Sequence, residues 1–333
     1  MTPRFKILVT ESIDEAGIRL LEEAGQVQLA SSTSQEVLEN ESRDKDAIII
    51  RALGTVTEQL IVHAPRLKVV GRHGVGVDNV DVRAATRHGV VVVYTPEANA
   101  EAVADYTIGL VVAVARRIVE ADRALRAEAG WKARYELIGS DVHGKTLGII
   151  GLGRIGLRVA RRARGFDMRL LAYDPYVTAA AASQVGAELV NLRTLLRKSD
   201  IVTIHVPLTE ETRHLLGRSE LNTMKPGAIL VNASRGGVVD EDALIEALTS
   251  GRLGGAGLDV FEKEPVSSAN PLLSMRNVVV SPHMAAHSKE SLREMAVTVA
   301  GDVVRVLKGE KPKYPFNPEV FKGETRAQSS ARH

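Results

Sequence analysis

Apolar residues fall in short, β-branched runs separated by amphipathic stretches. The runs are Lys6–Thr10, Ala47–Ile50, Lys68–Gly71, Val90–Tyr94, Thr146–Gly151, Met168–Tyr173, Ile201–His205, Ile229–Asn232, Ala256–Leu258 and Val278–Val280. Most are apolar throughout rather than alternating, which predicts strands buried on both faces of a parallel sheet. Helical spacing lies between them at Asp14–Ala24, Asp81–Arg87, Arg154–Arg164, Leu192–Lys198 and Asp240–Thr249. Strand–helix alternation over this length predicts α/β architecture with right-handed crossovers. Two longer helical patterns break the rhythm. One runs from about Glu97 to Ala127 and is rich in alanine, and the other from about Lys289 to Leu307. Long helices can carry a chain between domains, so a discontinuous layout is expected. Residues 1–98 and 287–333 form one domain and residues 99–286 the other. The tail from Lys322 has no periodicity and is expected to be loose.

The 333-residue length agrees with two domains, and 44 % hydrophobic with 25 % charged residues is ordinary globular composition. The chain has no cysteine, which excludes disulfides, Cys-ligated zinc, iron–sulfur clusters and a thiol nucleophile. A formal charge of +2 and 4 % aromatic residues give no case for nucleic-acid binding. The apolar run at the N-terminus is too short for a signal peptide, and Ile108–Ala115 is far short of a membrane span. The expectation is a soluble cytoplasmic protein without a metal site.

Gly151-Leu152-Gly153-Arg154-Ile155-Gly156 is a GxGxxG. It follows a predicted strand and opens a predicted helix, and the next strand ends at Asp174. Gly151 permits the tight turn, Gly153 lets backbone approach a pyrophosphate, and Gly156 lets helix and strand pack closely. The free N–H groups of Arg154, Ile155 and Gly156 would face the anion. Asp174 would accept from the adenosine ribose and repel a 2′-phosphate, so NAD is favoured over NADP. Arg154 is in reach of the pyrophosphate. Arg158, Arg161 and Arg162 read as a solvated basic face.

Five further segments occur in a telling order. They are Gly71-Arg72-His73-Gly74-Val75-Gly76-Val77-Asp78-Asn79-Val80-Asp81, Glu97-Ala98-Asn99-Ala100, Asn232-Ala233-Ser234-Arg235-Gly236-Gly237-Val238-Val239-Asp240, Gly257-Leu258-Asp259-Val260-Phe261-Glu262-Lys263-Glu264-Pro265 and Ser281-Pro282-His283. Together they resemble the D-isomer-specific 2-hydroxyacid dehydrogenases, in particular a phosphoglycerate dehydrogenase-like short form. The resemblance spans about Lys6 to Val320. It implies two Rossmann-like domains with parallel sheets and an active site in the interdomain cleft. It further implies a homodimer and hydride transfer between NAD and a small anionic 2-hydroxy or 2-oxo acid. The family's Arg, Glu and His fall on Arg235, Glu264 and His283. Chemistry agrees with those types. A guanidinium fork suits a carboxylate, imidazole exchanges protons near neutral pH, and a carboxylate on the other ring nitrogen fixes the tautomer.

The resemblance also implies that Val75 and Gly76 hold the substrate carboxylate and that Asn99 stands near the substrate. It puts His205, Pro207, Ala233 and Asp259 beside the cofactor, with simple strand-end capping the alternative for Asp259. Arg51, after the Ala47–Ile50 run, reads either as the holder of a second substrate anion, as in phosphoglycerate, or as a surface arginine. Hydroxypyruvate or glyoxylate reduction is the alternative activity, and an NAD-sensing corepressor-type interaction protein is the alternative outside enzymes. A formate- or phosphite-type dehydrogenase is the other enzyme alternative, and Glu264 speaks against the formate type, which has Gln there. Two departures stand out: Met284-Ala285-Ala286-His287-Ser288 after the histidine, and His73 where a small residue is common. The chain ends before a regulatory C-terminal domain, so serine feedback is not expected.

Overall fold

The computed structural model describes residues 5–127 and 130–321. The tail from Lys322, expected to be loose, lies outside them. The chain divides into two units, Met1–Asn99 with Ser288–His333, and Ala100–His287.

The first unit begins β1 (Phe5–Val9), α1 (Glu15–Ala24), β2 (Gly25–Leu29), α2 (Gln35–Ser42), β3 (Ala47–Ile50). It continues α3 (Glu58–His63), β4 (Val69–Arg72), α4 (Val82–Arg87), β5 (Val91–Val93). The sheet is parallel in the order β2-β1-β3-β4-β5. The second unit opens with α5 (Ala100–Ala115) and α6 (Ile118–Arg126). Then come β6 (Thr146–Ile150), α7 (Arg154–Arg164), β7 (Arg169–Tyr173), α8 (Ala179–Ser183) and β8 (Ala187–Leu189). The unit closes with α9 (Leu192–Lys198), β9 (Ile201–Ile204), α10 (Arg218–Thr223), β10 (Ala228–Asn232), α11 (Glu241–Thr249), β11 (Leu253–Leu258) and β12 (Val278–Val280). Its parallel sheet has the order β12-β11-β10-β9-β6-β7-β8. The chain then returns to the first unit through α12 (Lys289–Leu307). There Ala296, Val299, Ala300 and Val303 pack on Ile7, Val9, Ile49 and Val69.

Central strands match the apolar runs because both of their faces are covered: every residue of β3 and β6 is buried. The runs missed β2 and β8, and both are edge strands. Three of the five residues of Gly25-Gln26-Val27-Gln28-Leu29 are exposed, two of them glutamines, so it lacks a continuous apolar signal. Short α2, α3, α8 and α10 were also missed. The Glu97–Ala127 pattern is not one helix. Arg117 sits in the left-handed region at φ 54°, ending α5 and starting α6. The Ser140 amide donates to Ala115 O at 2.7 Å, satisfying a carbonyl that helix continuation would otherwise have used.

Each sheet has a point where strand order reverses, β1/β3 in the first unit and β6/β9 in the second. Ligands of open α/β sheets bind beyond the carboxyl ends of strands at such points. Arg51 follows β3, Gly151 follows β6 and His205 follows β9.

His73, just past β4, is 3 % exposed, and neither ring nitrogen has a hydrogen-bond partner. Burial, with added repulsion from Arg51 and Arg72, pushes its pKa down to about 4. The unfolded chain therefore binds this proton more tightly, and stability falls as pH drops from about 6.5 towards 4. By pH 5 the loss is about 2 kcal/mol. Chemical unfolding at pH 7.5 and pH 5 should show a smaller loss for His73→Leu than for wild type, and equal losses would refute the assignment.

Candidate active site

The glycine turn has the geometry its sequence predicts. Gly151 has φ +90°, strained for any residue with a Cβ. A Cβ on Gly156 would lie 2.1 Å from Gly151 O, so only glycine lets α7 start this close to β6. A Cβ on Gly153 would meet nothing within 4 Å, leaving open space over the first amides of α7. Arg154 is the first residue of that helix, followed by Ile155. Asp174 is fixed to the same turn: its oxygens accept from Leu152 N and Tyr176 N, each at 2.8 Å. These residues fit a dinucleotide, with a cradle of amides at an open helix start and an acid at the end of the next strand.

The basic face of α7 is not merely solvated. Arg158 bonds Glu101 at 2.5 Å, and Arg162 bonds Asp105 at 2.5 Å and Glu101 at 2.7 Å, tying α7 to α5. The two arginines depress the Glu101 pKa through these hydrogen bonds.

His205 is partly exposed as a residue, yet both ring nitrogens are sealed and unpartnered. Burial holds its pKa down to about 3, so the ring is neutral. Its amide donates to Ile150 O, joining β9 to the start of the glycine turn. Pro207 O accepts from Thr212 Oγ1 at 2.6 Å, closing the loop that follows.

Three segments of the second unit meet at the ends of β10, β11 and β12. After β10, Asn232 Oδ1 accepts from Ser234 N at 3.0 Å and Ser234 Oγ at 2.8 Å, while Nδ2 donates to Arg235 O at 2.9 Å. This buried side chain shapes the turn through Ala233 to Arg235. Asn232 had no predicted role, although Asn two residues before Ser is an Asx-turn signal. After β11, Glu264 Oε1 accepts from Phe261 N at 3.0 Å. After β12, His283 takes φ 50° and presents Nδ1 to Glu264 Oε2 at 2.7 Å. Burial would raise the Glu264 pKa. The hydrogen bonds from His283 and Phe261 N, with the nearby charge of Arg235, outweigh it and hold the carboxyl below its usual value. Glu264 is therefore ionised, its charge directed at the imidazole, and His283 Nε2 is left for a reactant.

Asp259 is bonded to the segment after β12. The side chain is 1 % exposed. Oδ1 accepts from Ser281 Oγ at 2.7 Å and Met284 N at 2.8 Å, and Oδ2 accepts from Ala285 N at 2.8 Å. Its oxygens are turned to the 281–285 loop, so Asp259 shapes the loop that carries His283.

In the first unit, Arg51 Nη1 donates to Ser12 O at 3.1 Å. Ile50 pairs with Arg72 across β3 and β4, so two guanidinium-bearing residues end adjacent strands. The Arg72 guanidinium lies over Gly74 and donates to His73 O. Gly74 has φ +146° and leads into Val75 and Gly76. Asn99 Oδ1, just before α5, is sealed and unpartnered. Among the described residues, no helix is long and apolar enough to cross a membrane, and no cluster of three His, Asp or Glu could hold a metal.

A parallel sheet with a phosphate-binding turn, beside a histidine–carboxylate pair and an arginine, defines a dinucleotide-dependent site. Residues 108–285 match the family model "D-isomer specific 2-hydroxyacid dehydrogenase, NAD binding domain". The chain is 44 % identical over 306 residues to a D-3-phosphoglycerate dehydrogenase of Methanocaldococcus jannaschii, covering 92 % of this chain but 58 % of that protein. It is 44 % identical over 328 residues to a glyoxylate reductase of Korarchaeum cryptofilum, covering 97 % and 98 % of the two. The solved glyoxylate reductase from Paecilomyes thermophila superposes with a TM-score of 0.84 at 31 % identity, covering 96 % of this chain and all of that one. The chain belongs to the D-isomer specific 2-hydroxyacid dehydrogenase family.

Proposed function

We propose that this chain is an NAD-dependent oxidoreductase that moves hydride between a D-2-hydroxy acid and its 2-oxo acid, with 3-phosphoglycerate as the hydroxy acid. The observation that carries the reading is the 2.7 Å contact between His283 Nδ1 and Glu264, in the unit that holds the glycine turn. The amides after Gly151, Gly153 and Gly156 would hold the pyrophosphate of NAD, whose nicotinamide would supply the hydride in reduction and take it in oxidation. Arg235 holds the substrate carboxylate with its guanidinium fork. His283 Nε2 gives its proton to the carbonyl oxygen during reduction and takes the hydroxyl proton during oxidation. Glu264, ionised, stabilises the imidazolium that precedes proton delivery and fixes the ring. Asp174 selects NADH over NADPH, and Val75 and Gly76 offer backbone amides to the substrate.

Arg51 supports the phosphorylated substrate. It follows β3 where the strand order of its sheet reverses, and β4 beside it ends in Arg72. Glyoxylate reduction is a second reading, favoured by the match along 98 % of the Korarchaeum protein. NADH oxidation with 3-phosphohydroxypyruvate, hydroxypyruvate and glyoxylate separates them. Arg51→Ala should raise KM at least tenfold for the phosphorylated acid and leave glyoxylate within twofold. An equal effect on all three would remove the second-anion role. NADH binding without turnover of any would favour a cofactor-sensing protein instead.

The same reading has the protein working as a cytoplasmic homodimer. Ile118, Leu125, Trp131, Tyr135 and Ile138 lie in one stretch of sequence and are each at least half exposed, apolar surface available to a second copy. A monomer in sedimentation at micromolar concentration would remove that part of the reading.

A further inference from the structure

His214 has no part in the proposed reaction, yet it lies at the junction of the segments that present two of its groups. It takes φ 50° between α10 and β9, and its amide donates to Gly237 O at 2.9 Å. Its Nε2 meets Glu262 Oε1 at 2.8 Å. Glu262 and Glu241, the first residue of α11, exchange bonds: each backbone amide donates to the other's carboxylate at 3.0 Å. Asn270 Nδ2 donates to Glu241 Oε1 at 2.6 Å. Gly236, next to Arg235, closes the junction. A Cβ there would lie 1.9 Å from the Phe261 carbonyl, so the loop bearing Glu264 rests directly on the turn bearing Arg235.

This reciprocal bonding ties the loop bearing Glu262 to the start of α11. His214 and Asn270 each add a further donor, to Glu262 and to Glu241 respectively. Glu262 stands two residues before Glu264, inside a loop already closed by Phe261 N on Glu264. Any shift of Glu262 is therefore passed to Glu264 by a short, closed backbone segment.

We propose that His214, acting through Glu262 and Glu241, is a positioning residue that holds Glu264 in register with Arg235 and His283. The proposal rests on the functional reading above. His214 and Glu262 side chains are 43 % and 35 % exposed, and exposed pairs add little to global stability. Removing this one should disturb the site more than the fold. His214 needs only its Nε2–H as donor, so an amide side chain can replace it.

The test compares wild type, His214→Ala and His214→Gln by thermal unfolding, steady-state kinetics and carbon-13 carboxyl NMR of Glu264. The groups facing Glu264 are His283, the Phe261 amide and the Arg235 charge, and together they depress its pKa. In His214→Ala, Glu264 should titrate closer to its usual range. In the same variant kcat should fall about tenfold, with KM for NADH and for the 2-oxo acid within threefold and Tm within a few degrees. His214→Gln should restore both the Glu264 titration and kcat. An unchanged Glu264 titration in His214→Ala would overturn the proposal, as would failure of glutamine to restore it. Because the NMR reading needs no substrate, it remains decisive even if wild type turns over none of the 2-oxo acids tried.

Discussion

His283→Ala should lower kcat for 2-oxo acid reduction by about 10²–10⁴-fold, the range lost with a general acid. The proton delivered to the carbonyl oxygen as hydride arrives then has no protein source. NADH affinity should stay within twofold, because the glycine turn and Asp174 follow β6 and β7, whereas His283 follows β12. His283→Gln keeps a polar group but cannot transfer a proton, so it should be nearly as slow. Stopped-flow NADH oxidation with fluorescence titration of NADH checks both points. A kcat within fivefold of wild type would remove His283 from the chemistry.

The second large effect is expected at Arg235. Its charge reaches Glu264, and its side chain is also tethered by Nη1 to Ser234 O at 2.7 Å. Truncating one partner of a desolvated, hydrogen-bonded charge pair costs about 2–5 kcal/mol. Arg235→Ala should therefore lose about 10²–10³-fold in kcat/KM. The carboxylate is present in ground and transition states alike, so most of the loss should enter through KM. A smaller fall in kcat follows from a less well oriented carbonyl. Arg235→Lys keeps the charge but not the planar fork, and should recover only part of the affinity. A dominant loss in kcat with unchanged KM would mean that Arg235 acts on the carbonyl rather than on the carboxylate.

The alanine scan of these two positions also separates the histidine's task from the arginine's, since one is read in kcat and the other in KM. Glu264 links them: it is close enough to feel both groups, and its pKa is depressed by both.

Much of the fold is legible in the sequence because the central strands are buried on both faces. β3 is a continuous Ala47-Ile48-Ile49-Ile50 run, and β5 is likewise all valine and buried. The cofactor turn is legible for a different reason, since Gly151, Gly153 and Gly156 answer local backbone requirements that a nearby strand and helix already announce. What was not legible was decided at longer range. β2 is a strand only because β1 offers it a partner edge, so its own pattern shows little. The helix read across Glu97–Ala127 breaks at Arg117, where Ser140, distant in sequence, takes a helix-end carbonyl.

The candidate site divides the same way. In the sequence, the resemblance to the family picks out the candidate arginine, carboxylate and histidine, Arg235, Glu264 and His283, each in the segment after a separate apolar run. Sequence by itself determined the glycine turn and the acid at Asp174, because both depend on short-range geometry. Only the tertiary structure decided that the ends of β10, β11 and β12 lie side by side, so that His283 Nδ1 faces Glu264 and Arg235 stands close by. It alone turned Asp259 inward to the 281–285 loop and set His214 against Glu262. The physical reason is strand register: pairing of parallel strands sets which loop ends are neighbours, and no local pattern carries that information.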